Sequence, residues 1–419
     1  MALESKSDVK VSCPGDRGWR HRAGPSAIIS YRKNYRPDLF ALTTRHLYIH
    51  IPFCSSRCGY CDFFSQSGKL ELAPAYVGAL LAEMEASLPE GAAPSGRQAA
   101  GSRGLETVYI GGGTPTLLGA DLLAVVLEAA LRRCGDEPEI TVEANPSTLT
   151  PELAAGLAAA GVNRVSLGAQ SFDPGLRRNL GRDGPAGAIA EAVKELRRAG
   201  IGSIGIDLMF SIPGQAAAGL ESDLDRALAL EPDHLSCYEL TVKEGSAFQR
   251  RWLGELEAAA ARGRSFYELA VDRLEGAGYR WYETSNFSLP GKECRHNLAY
   301  WDGSDYLGLG AGAWSTVGTV RWRNSESLEG YIEAAAGGGW EGLREIERLD
   351  PRGKISEKLL LGLRRDRGVE RGAVAAVLDS RQEKGLLRNG FLVNEGGRIC
   401  LTRQGRFVAN EVCARLLRD

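Results

Sequence analysis

The stretch His50-Ile-Pro-Phe-Cys54-Ser-Ser-Arg-Cys58-Gly-Tyr-Cys61-Asp-Phe63 carries the strongest structural signal in the chain. It places three cysteines within eight residues, directly after an apolar run at residues 47–53. Thiolates are natural ligands of iron–sulfur clusters, whereas a structural zinc ion requires four protein ligands in a closed site. Two alternatives stay open from the residues alone: a catalytic zinc with an open position, and three buried thiols without a metal.

A cluster held by three thiolates leaves the fourth iron without a protein ligand. The amino and carboxylate groups of S-adenosylmethionine (SAM) can chelate such an iron. Electron transfer to the sulfonium then breaks a C–S bond and gives a 5′-deoxyadenosyl radical. The cysteine spacing therefore favours a 4Fe-4S cluster on Cys54, Cys58 and Cys61 with SAM as its partner.

The sequence around this loop alternates short apolar runs with amphipathic helical stretches. The apolar runs lie at residues 47–53, 108–110, 140–143, 164–167, 204–210 and 234–240. Strands that alternate with helices predict a parallel sheet. An open doubly wound sheet would gather its polar groups at one switch point. Here nearly every run ends in polar residues, which favours an α/β fold with an incomplete (β/α)6 TIM-like barrel.

The domain organisation follows from changes in this pattern. Residues 1–44 are predicted to be a flexible N-terminal extension, and residues 45–290 the core barrel, with a loop at 89–104. Residues 291–350 are predicted to be a connecting segment. Residues 351–419 form a small C-terminal helical and winged module, with a helix from Ile355, a hairpin turned at Gly396-Gly397 and a last helix near 403–417.

Composition excludes several classes of protein. The chain has 419 residues, of which 43% are hydrophobic, and a net charge of −2 at neutral pH. This balance argues against a nucleic-acid binder held by bulk electrostatics. No apolar run reaches the length of a membrane span, and no apolar signal-peptide region is present, so a cytoplasmic protein is expected. The nine cysteines do not form a disulfide framework.

A second motif, Gly111-Gly112-Gly113-Thr114-Pro115, follows the second apolar run. Together with the cysteine loop it resembles the radical SAM superfamily over about residues 45–415. More closely, the chain is similar to the oxygen-independent coproporphyrinogen III oxidase-like group, and within it to the heme chaperone HemW family. The resemblance implies a radical SAM core, a HemN-like C-terminal module and the following SAM-binding residues: Tyr48, Gly112, Gly113, Thr114, Glu143, Gln170, Arg182 and Asp207.

Two features separate the chaperone branch from the oxidase. The oxidase carries a fourth cysteine two residues after the third, and Phe63 stands at that position here. The segment containing His296, Asn297, Tyr300 and Trp301 is similar to the HNxxYW motif tied to heme binding in the chaperones. Imidazole is a good axial ligand for heme iron, and aromatic rings offer flat faces to a macrocycle. Without the family resemblance, a capped helix start with core aromatics would be the preferred interpretation.

The resemblance implies a heme-binding protein that delivers heme to respiratory membrane proteins, with a flavodoxin-type donor as reductant and peripheral membrane contact. The alternatives are coproporphyrinogen III oxidase or another radical SAM tetrapyrrole enzyme. The resemblance leaves open whether SAM is cleaved. Two departures from the family pattern occur where it often has histidine, at Gly184 and Trp314.

Overall fold

The computed structural model describes residues 44–89, 104–182, 184, 187–337 and 339–418. The predicted N-terminal extension lies outside the described residues except for Thr44, and the predicted loop at 89–104 lies outside them except at its two ends. The chain divides into two compact units. Among the described residues, one unit contains 44–300 and 304–348, and the other contains 301–303 and 349–418.

The larger unit is built from strands that alternate with helices. Its strands are β1 (His46–Ile51), β2 (Phe53–Cys54), β3 (Gln66–Ser67), β4 (Leu105–Gly112), β5 (Cys134–Ala144), β6 (Arg164–Gln170), β7 (Ser203–Phe210), β8 (His234–Glu239), β9 (Arg280–Trp281), β10 (Asn286–Ser288), β11 (Tyr306–Leu309), β12 (Trp314–Val317), β13 (Val320–Asn324) and β14 (Arg344–Arg348). Its helices are α1 (Ala73–Ser87), α2 (Gly119–Leu131), α3 (Pro151–Ala159), α4 (Pro174–Leu180), α5 (Gly187–Arg198), α6 (Ala217–Leu228), α7 (Ala247–Arg251), α8 (Leu253–Ala260), α9 (Gly263–Gly276), α10 (Arg295–Trp301) and α11 (Leu328–Gly337).

The sheet confirms the predicted α/β barrel architecture. Strands β1, β4, β5, β6, β7 and β8 pair in this order, and all of these pairs are parallel. They correspond to the six apolar runs in the sequence. Their carboxyl ends therefore meet at one edge, where a barrel of this type places its active site.

The sheet is longer than six strands. β11 pairs with β1 in parallel, and β12, β13 and β14 continue it as antiparallel strands. Residues 306–348 thus extend the barrel sheet, although the sequence separated 291–350 as a connecting segment. The difference arises because each of these strands has only four or five residues, too few for a clear periodic pattern.

The alternation of side chains along β1 and β4 separates the outer core from the barrel interior. Leu47, Ile49 and Ile51 are fully buried in the hydrophobic core. Because successive side chains in a strand point to opposite faces, Tyr48 and His50 face the interior of the barrel. Each large apolar side chain buried in this way stabilises the fold by about 2 kcal/mol.

The smaller unit is a helical module with a three-stranded sheet. Its elements are α12 (Pro351–Gly362), β15 (Val369–Glu370), α13 (Arg371–Val374), α14 (Ser380–Arg388), β16 (Leu392–Glu395), β17 (Arg398–Leu401), α15 (Arg403–Arg406) and α16 (Ala409–Leu416). The strands pair antiparallel in the order β15-β17-β16.

The hairpin prediction in this module is confirmed. Gly396 and Gly397 connect β16 to β17 with φ angles of +57° and +81°, which glycine adopts without strain. The helix predicted from Ile355 begins earlier, because Pro351 fits the first helical position and the Asp350 side chain accepts a hydrogen bond from the Gly353 amide. The predicted last helix is divided into α15 and α16.

No helix in the described part of the chain is long and apolar enough to cross a membrane.

Candidate functional site

The three motif cysteines lie on the loop that follows β1. Cys54 ends β2, and the amide of Cys61 donates to the carbonyl of Cys58 over 3.1 Å, which turns the loop. All three are free, half-buried thiols. Among the described residues, no three His, Cys, Asp or Glu side chains are gathered to hold a metal ion. The choice of a 4Fe-4S cluster therefore rests on the spacing of the three thiols and on the family resemblance.

Burial controls the protonation of these thiols. It raises the pKa of Cys54 and raises the pKa of Cys61 to about 11. Both groups are therefore neutral thiols near pH 7 unless a metal displaces the proton. The hydroxyl of Thr114 lies 3.8 Å from the Cys54 sulfur and can donate to a thiolate there.

The glycine motif brings the end of β4 against this loop. A Cβ atom at Gly112 would lie 2.5 Å from the His50 ring, and one at Gly113 would lie 2.6 Å from the Phe53 carbonyl oxygen. The amides of Gly113 and Thr114 donate to the carbonyls of Ile51 and Phe53, over 2.8 and 2.7 Å. Only glycine allows the backbone to approach so closely.

Glu143 ends β5 beside the glycine motif with both carboxylate oxygens engaged. Gly112 N–H donates to Oε2 over 3.0 Å, and the Tyr109 hydroxyl donates to Oε1 over 2.8 Å. Burial raises the pKa of Glu143 to about 7, although both hydrogen bonds favour the charged form; nearby Asp207 raises this pKa further. The carboxyl group thus titrates close to neutral pH and has a fixed orientation.

Gln170 ends β6, and Asp207 lies in the neighbouring strand β7, where it pairs with Gly168. Gln170 has a left-handed φ of +66° at a register shift in β6, and its side chain accepts from the Tyr238 hydroxyl over 2.8 Å. Such strained backbone at a strand end is typical of functional sites. Asp207 accepts from the Ser166 hydroxyl over 3.1 Å, and burial raises its pKa.

Arg182 follows α4 and reaches back toward β6. Its Nη1 donates to the Gly168 carbonyl over 2.8 Å, while Nε is buried without a hydrogen-bond partner among the described residues. A buried guanidinium N–H without a partner is costly. A ligand carboxylate would satisfy it with the charge-assisted bond that arginine forms best.

Tyr48 connects the middle of β1 to the cysteine loop through His50. His50 Nε2 lies 2.8 Å from the Phe64 carbonyl oxygen, and Nδ1 lies 3.0 Å from the Tyr48 hydroxyl. Nε2 therefore donates and Nδ1 accepts. Burial lowers the pKa of His50 to about 4, so the ring is neutral. His50 is thus a neutral histidine in a strand, with both ring nitrogens hydrogen-bonded.

The residues present fit a 4Fe-4S cluster and SAM. Three thiols lie beside the glycine motif, and the buried Nε of Arg182 has no hydrogen-bond partner among the described residues. The predicted SAM-binding positions lie on the barrel strands and on the segments that follow them, at and below the edge that carries the cysteine loop: Tyr48, Gly112, Gly113, Thr114, Glu143, Gln170, Arg182 and Asp207.

The predicted heme-binding segment lies elsewhere in the barrel. The amides of Arg295 and His296, at the start of α10, donate to the Glu139 carboxylate over 2.8 and 3.0 Å. The His296 Nδ1 also lies 2.6 Å from the Thr107 hydroxyl, near the start of β4. Because the glycine motif ends β4, this segment is at the opposite end of the strand from the SAM-binding positions.

The His296 ring is buried, with 1% of the residue exposed, and both of its nitrogens are engaged. Nε2 lies 2.9 Å from the Tyr300 hydroxyl, and burial holds the pKa of His296 well below its usual value. Asn297 and Tyr300 are partly exposed, and Trp301 is buried. Cys294 is a buried thiol whose pKa is raised to about 12 by burial, so it is neutral. In this arrangement His296 has no free nitrogen for an iron atom.

Tyr109, Glu139 and Thr107 were not predicted from the sequence. Thr107 and Glu139 contact the HNxxYW segment, and Tyr109 contacts both this segment and Glu143. Tyr109 faces the barrel interior between Thr107 and the glycine motif, with its ring stacked on His296 at 5.2 Å between centroids. The alternation of Thr107, Tyr109 and Gly111 with buried Val108 and Ile110 was the available signal, because interior positions recur every second residue.

The two departures from the family pattern have local explanations. Gly184 has a φ of +94°, a conformation that strains any residue with a Cβ atom, and a Cβ there would lie 3.2 Å from Ser147. Trp314 is half-buried, and its ring faces the Arg323 guanidinium at 5.5 Å. Neither residue supplies an imidazole.

Comparison with known proteins places these observations in context. Residues 48–227 match the family model described as the radical SAM superfamily. Relatives described as heme chaperone HemW are 37% identical in Mycobacterium tuberculosis, over 88% of this chain and 94% of the relative, and 33% identical in Bacillus subtilis, over 88% and 98%. A relative from Lactococcus lactis with the same description is 35% identical over 89% and 97%.

Among solved structures, the chain is similar to coproporphyrinogen III oxidase (HemN) from Escherichia coli, described as a radical SAM enzyme. The TM-score is 0.69 at 20% sequence identity, covering 90% of this chain and 91% of the other. At this identity the likeness establishes the fold alone.

Proposed function

The chain belongs to the heme chaperone HemW family of the radical SAM superfamily, and from this membership we propose that it binds heme and delivers it to respiratory proteins. The observation that carries the proposal is similarity to heme chaperones along nearly the whole length of the relatives. As a radical SAM protein, the chain takes a 4Fe-4S cluster and SAM as cofactors.

Cys54, Cys58 and Cys61 are the proposed cluster ligands. The Thr114 hydroxyl supports the thiolate of Cys54, and the short β2–β3 pairing holds the loop against the end of β1. A cluster held there by Cys54, Cys58 and Cys61 would be able to supply an electron to bound SAM. The protein's part is to keep the thiols half-buried on a loop against which the backbone of the glycine motif packs.

The SAM site is proposed at the adjoining strand ends. The backbone of Gly112, Gly113 and Thr114 lines it, and Arg182 offers a buried N–H to a carboxylate. Glu143 offers carboxyl oxygens with a fixed orientation, which can accept from the amino or hydroxyl groups of SAM. The remaining proposed contacts come from Tyr48, Gln170 and Asp207.

Heme is proposed to bind at the HNxxYW segment, with contacts from His296, Asn297, Tyr300 and Trp301. His296 must first leave Thr107 and Tyr300, because both ring nitrogens are engaged in the structure described here. Heme binding therefore requires local opening of the first turn of α10. A flavodoxin-type reductant, respiratory membrane proteins as heme recipients, and a cytoplasmic location with peripheral membrane contact belong to the same proposal.

Phe63 argues against the oxidase alternative. It occupies the position of the oxidase's fourth cysteine, and 61% of it is exposed beside the cysteine loop. The fold that the chain shares with coproporphyrinogen III oxidase does not by itself indicate oxidase activity. An anaerobic assay distinguishes the two functions.

Reconstituted protein should bind heme stably and should not convert coproporphyrinogen III to protoporphyrinogen IX in the presence of SAM and reductant. His296→Ala should weaken heme binding about tenfold or more while the cluster absorbance is retained. His234→Ala is the matched control, since it removes another buried histidine near the same end of the barrel. Protoporphyrinogen formation, or unchanged heme affinity in His296→Ala, would contradict the proposal.

A further inference from the structure

Tyr109 contacts both proposed ligand sites. Its hydroxyl donates to Glu143 Oε1 over 2.8 Å, and its ring stacks on His296 with a centroid distance of 5.2 Å and an interplanar angle of 30°. It also stacks on Tyr48, at 6.1 Å and 28°. One side chain in the middle of β4 thus connects the SAM pocket to the HNxxYW segment.

The Tyr109 hydroxyl helps to fix the carboxyl group of Glu143. Each Glu143 oxygen has one donor, from Tyr109 and from Gly112. If Tyr109 moved, one oxygen would lose its donor and the carboxyl group could rotate. Binding of SAM against Glu143 therefore favours the ordered position of Tyr109, because the ligand needs a fixed acceptor.

The proposal requires two positions of the His296 side chain, one buried and one in which it coordinates iron. In the buried position its nitrogens contact Thr107 and Tyr300, and its ring packs on Tyr109. Coordination of an iron atom requires His296 to leave these contacts. That movement removes the ring that packs on Tyr109 and loosens the hold of Tyr109 on Glu143.

We infer that Tyr109 couples the two sites: SAM bound against Glu143 keeps His296 in its buried position and thereby lowers the affinity for heme. The inference rests on the proposed binding of heme through His296. Because coupling between two binding equilibria is reciprocal, heme must weaken SAM binding by the same factor. An aromatic pair of this kind shifts an equilibrium by about two- to tenfold. SAM would then favour release of heme to a recipient.

The test is heme titration of the anaerobically reconstituted protein, followed by absorbance, with and without saturating SAM. The heme dissociation constant of the wild type should rise about two- to tenfold with SAM. Tyr109→Phe keeps the ring and removes the hydroxyl, so its heme affinity should be the same with and without SAM, and its SAM affinity should fall. Tyr279→Phe is the control, since it removes a buried hydroxyl that donates to the Pro232 carbonyl, away from both sites.

The outcomes distinguish failure of the proposed heme site at His296 from failure of the proposed coupling between SAM and heme binding. Unchanged heme affinity in His296→Ala refutes the heme site itself. If His296→Ala loses heme while SAM leaves the wild-type heme affinity unchanged or increases it, only the coupling is refuted. If SAM changes the heme affinity of Tyr109→Phe as much as it changes that of the wild type, Tyr109 does not carry the coupling. The reciprocal SAM titration of the wild type, with and without heme, decides the case independently of any variant.

Discussion

Glu143→Gln should stabilise the protein above neutral pH in the absence of SAM. The pKa of Glu143 rises from 4.5 to about 7 because of burial, which opposes the charged form. Below pH 4.5 the carboxyl group is protonated in both the folded and unfolded protein. Between pH 4.5 and 7 the folded protein keeps a proton that the unfolded chain releases, so this stabilising contribution is progressively lost as the pH rises to about 7.

The size of this stability difference follows from the shift in the pKa of Glu143. The difference between 4.5 and about 7 corresponds to at most about 3 kcal/mol, an upper bound because Glu143 is partly open to the barrel interior. Glutamine has nearly the same shape and does not titrate. The melting temperature of the variant should therefore rise relative to wild type by up to about 6 °C between pH 4.5 and 8.

The assay is thermal unfolding of the apo protein across this pH range. Glu257→Gln, on the exposed surface of α8, is the control and should show no comparable trend. A difference in melting temperature that does not change with pH would refute the reasoning. So would a loss of stability in Glu143→Gln that grows as the pH rises.

Two further predictions test other parts of the barrel. Gly112→Ala should weaken SAM binding at least tenfold by calorimetry, because Gly112 has a φ of +116° and an added Cβ would meet His50 at 2.5 Å, whereas Gly187→Ala, with open space around it, should not. Arg344→Met should lower stability by about 3–5 kcal/mol in thermal unfolding, because it leaves the fully buried Glu83 carboxylate without its cationic partner. Recovery of most of that loss in the double variant with Glu83→Gln would support this cause, and an unchanged melting temperature in Arg344→Met would contradict it.

The parallel part of the barrel was predictable because its signal is local. Runs such as residues 204–210 are mostly apolar, which the packing of a parallel sheet requires. The short strands β11 to β14 carry too few residues for such a pattern, and their place in the sheet depends on distant partners. β11 pairs with β1 across more than two hundred residues of sequence. That pairing forms only in the folded sheet, and local periodicity does not predict it.

The sequence predicted which residues belong to the candidate site, but it did not predict their burial or their contacts. The cysteine spacing and the glycine motif define chemistry without knowledge of the fold, and their contact between β1 and β4 follows once the strands are parallel neighbours. The HNxxYW segment shows what sequence motifs leave out. Its letters identify a histidine, whereas only the structure shows that Glu139 anchors the helix start and that both His296 nitrogens are engaged.

The positions of these two motifs also bear on the chemistry of heme. Thr107, beside His296, and Gly112, in the SAM pocket, are five residues apart on β4, which is about 17 Å along an extended strand. If heme binds through His296 as proposed, its iron lies near the start of β4, at the other end of this strand from the glycine motif. Tyr109 lies midway between the two proposed sites and contacts Glu143 and His296, which agrees with the proposal that heme is a cargo whose binding SAM regulates.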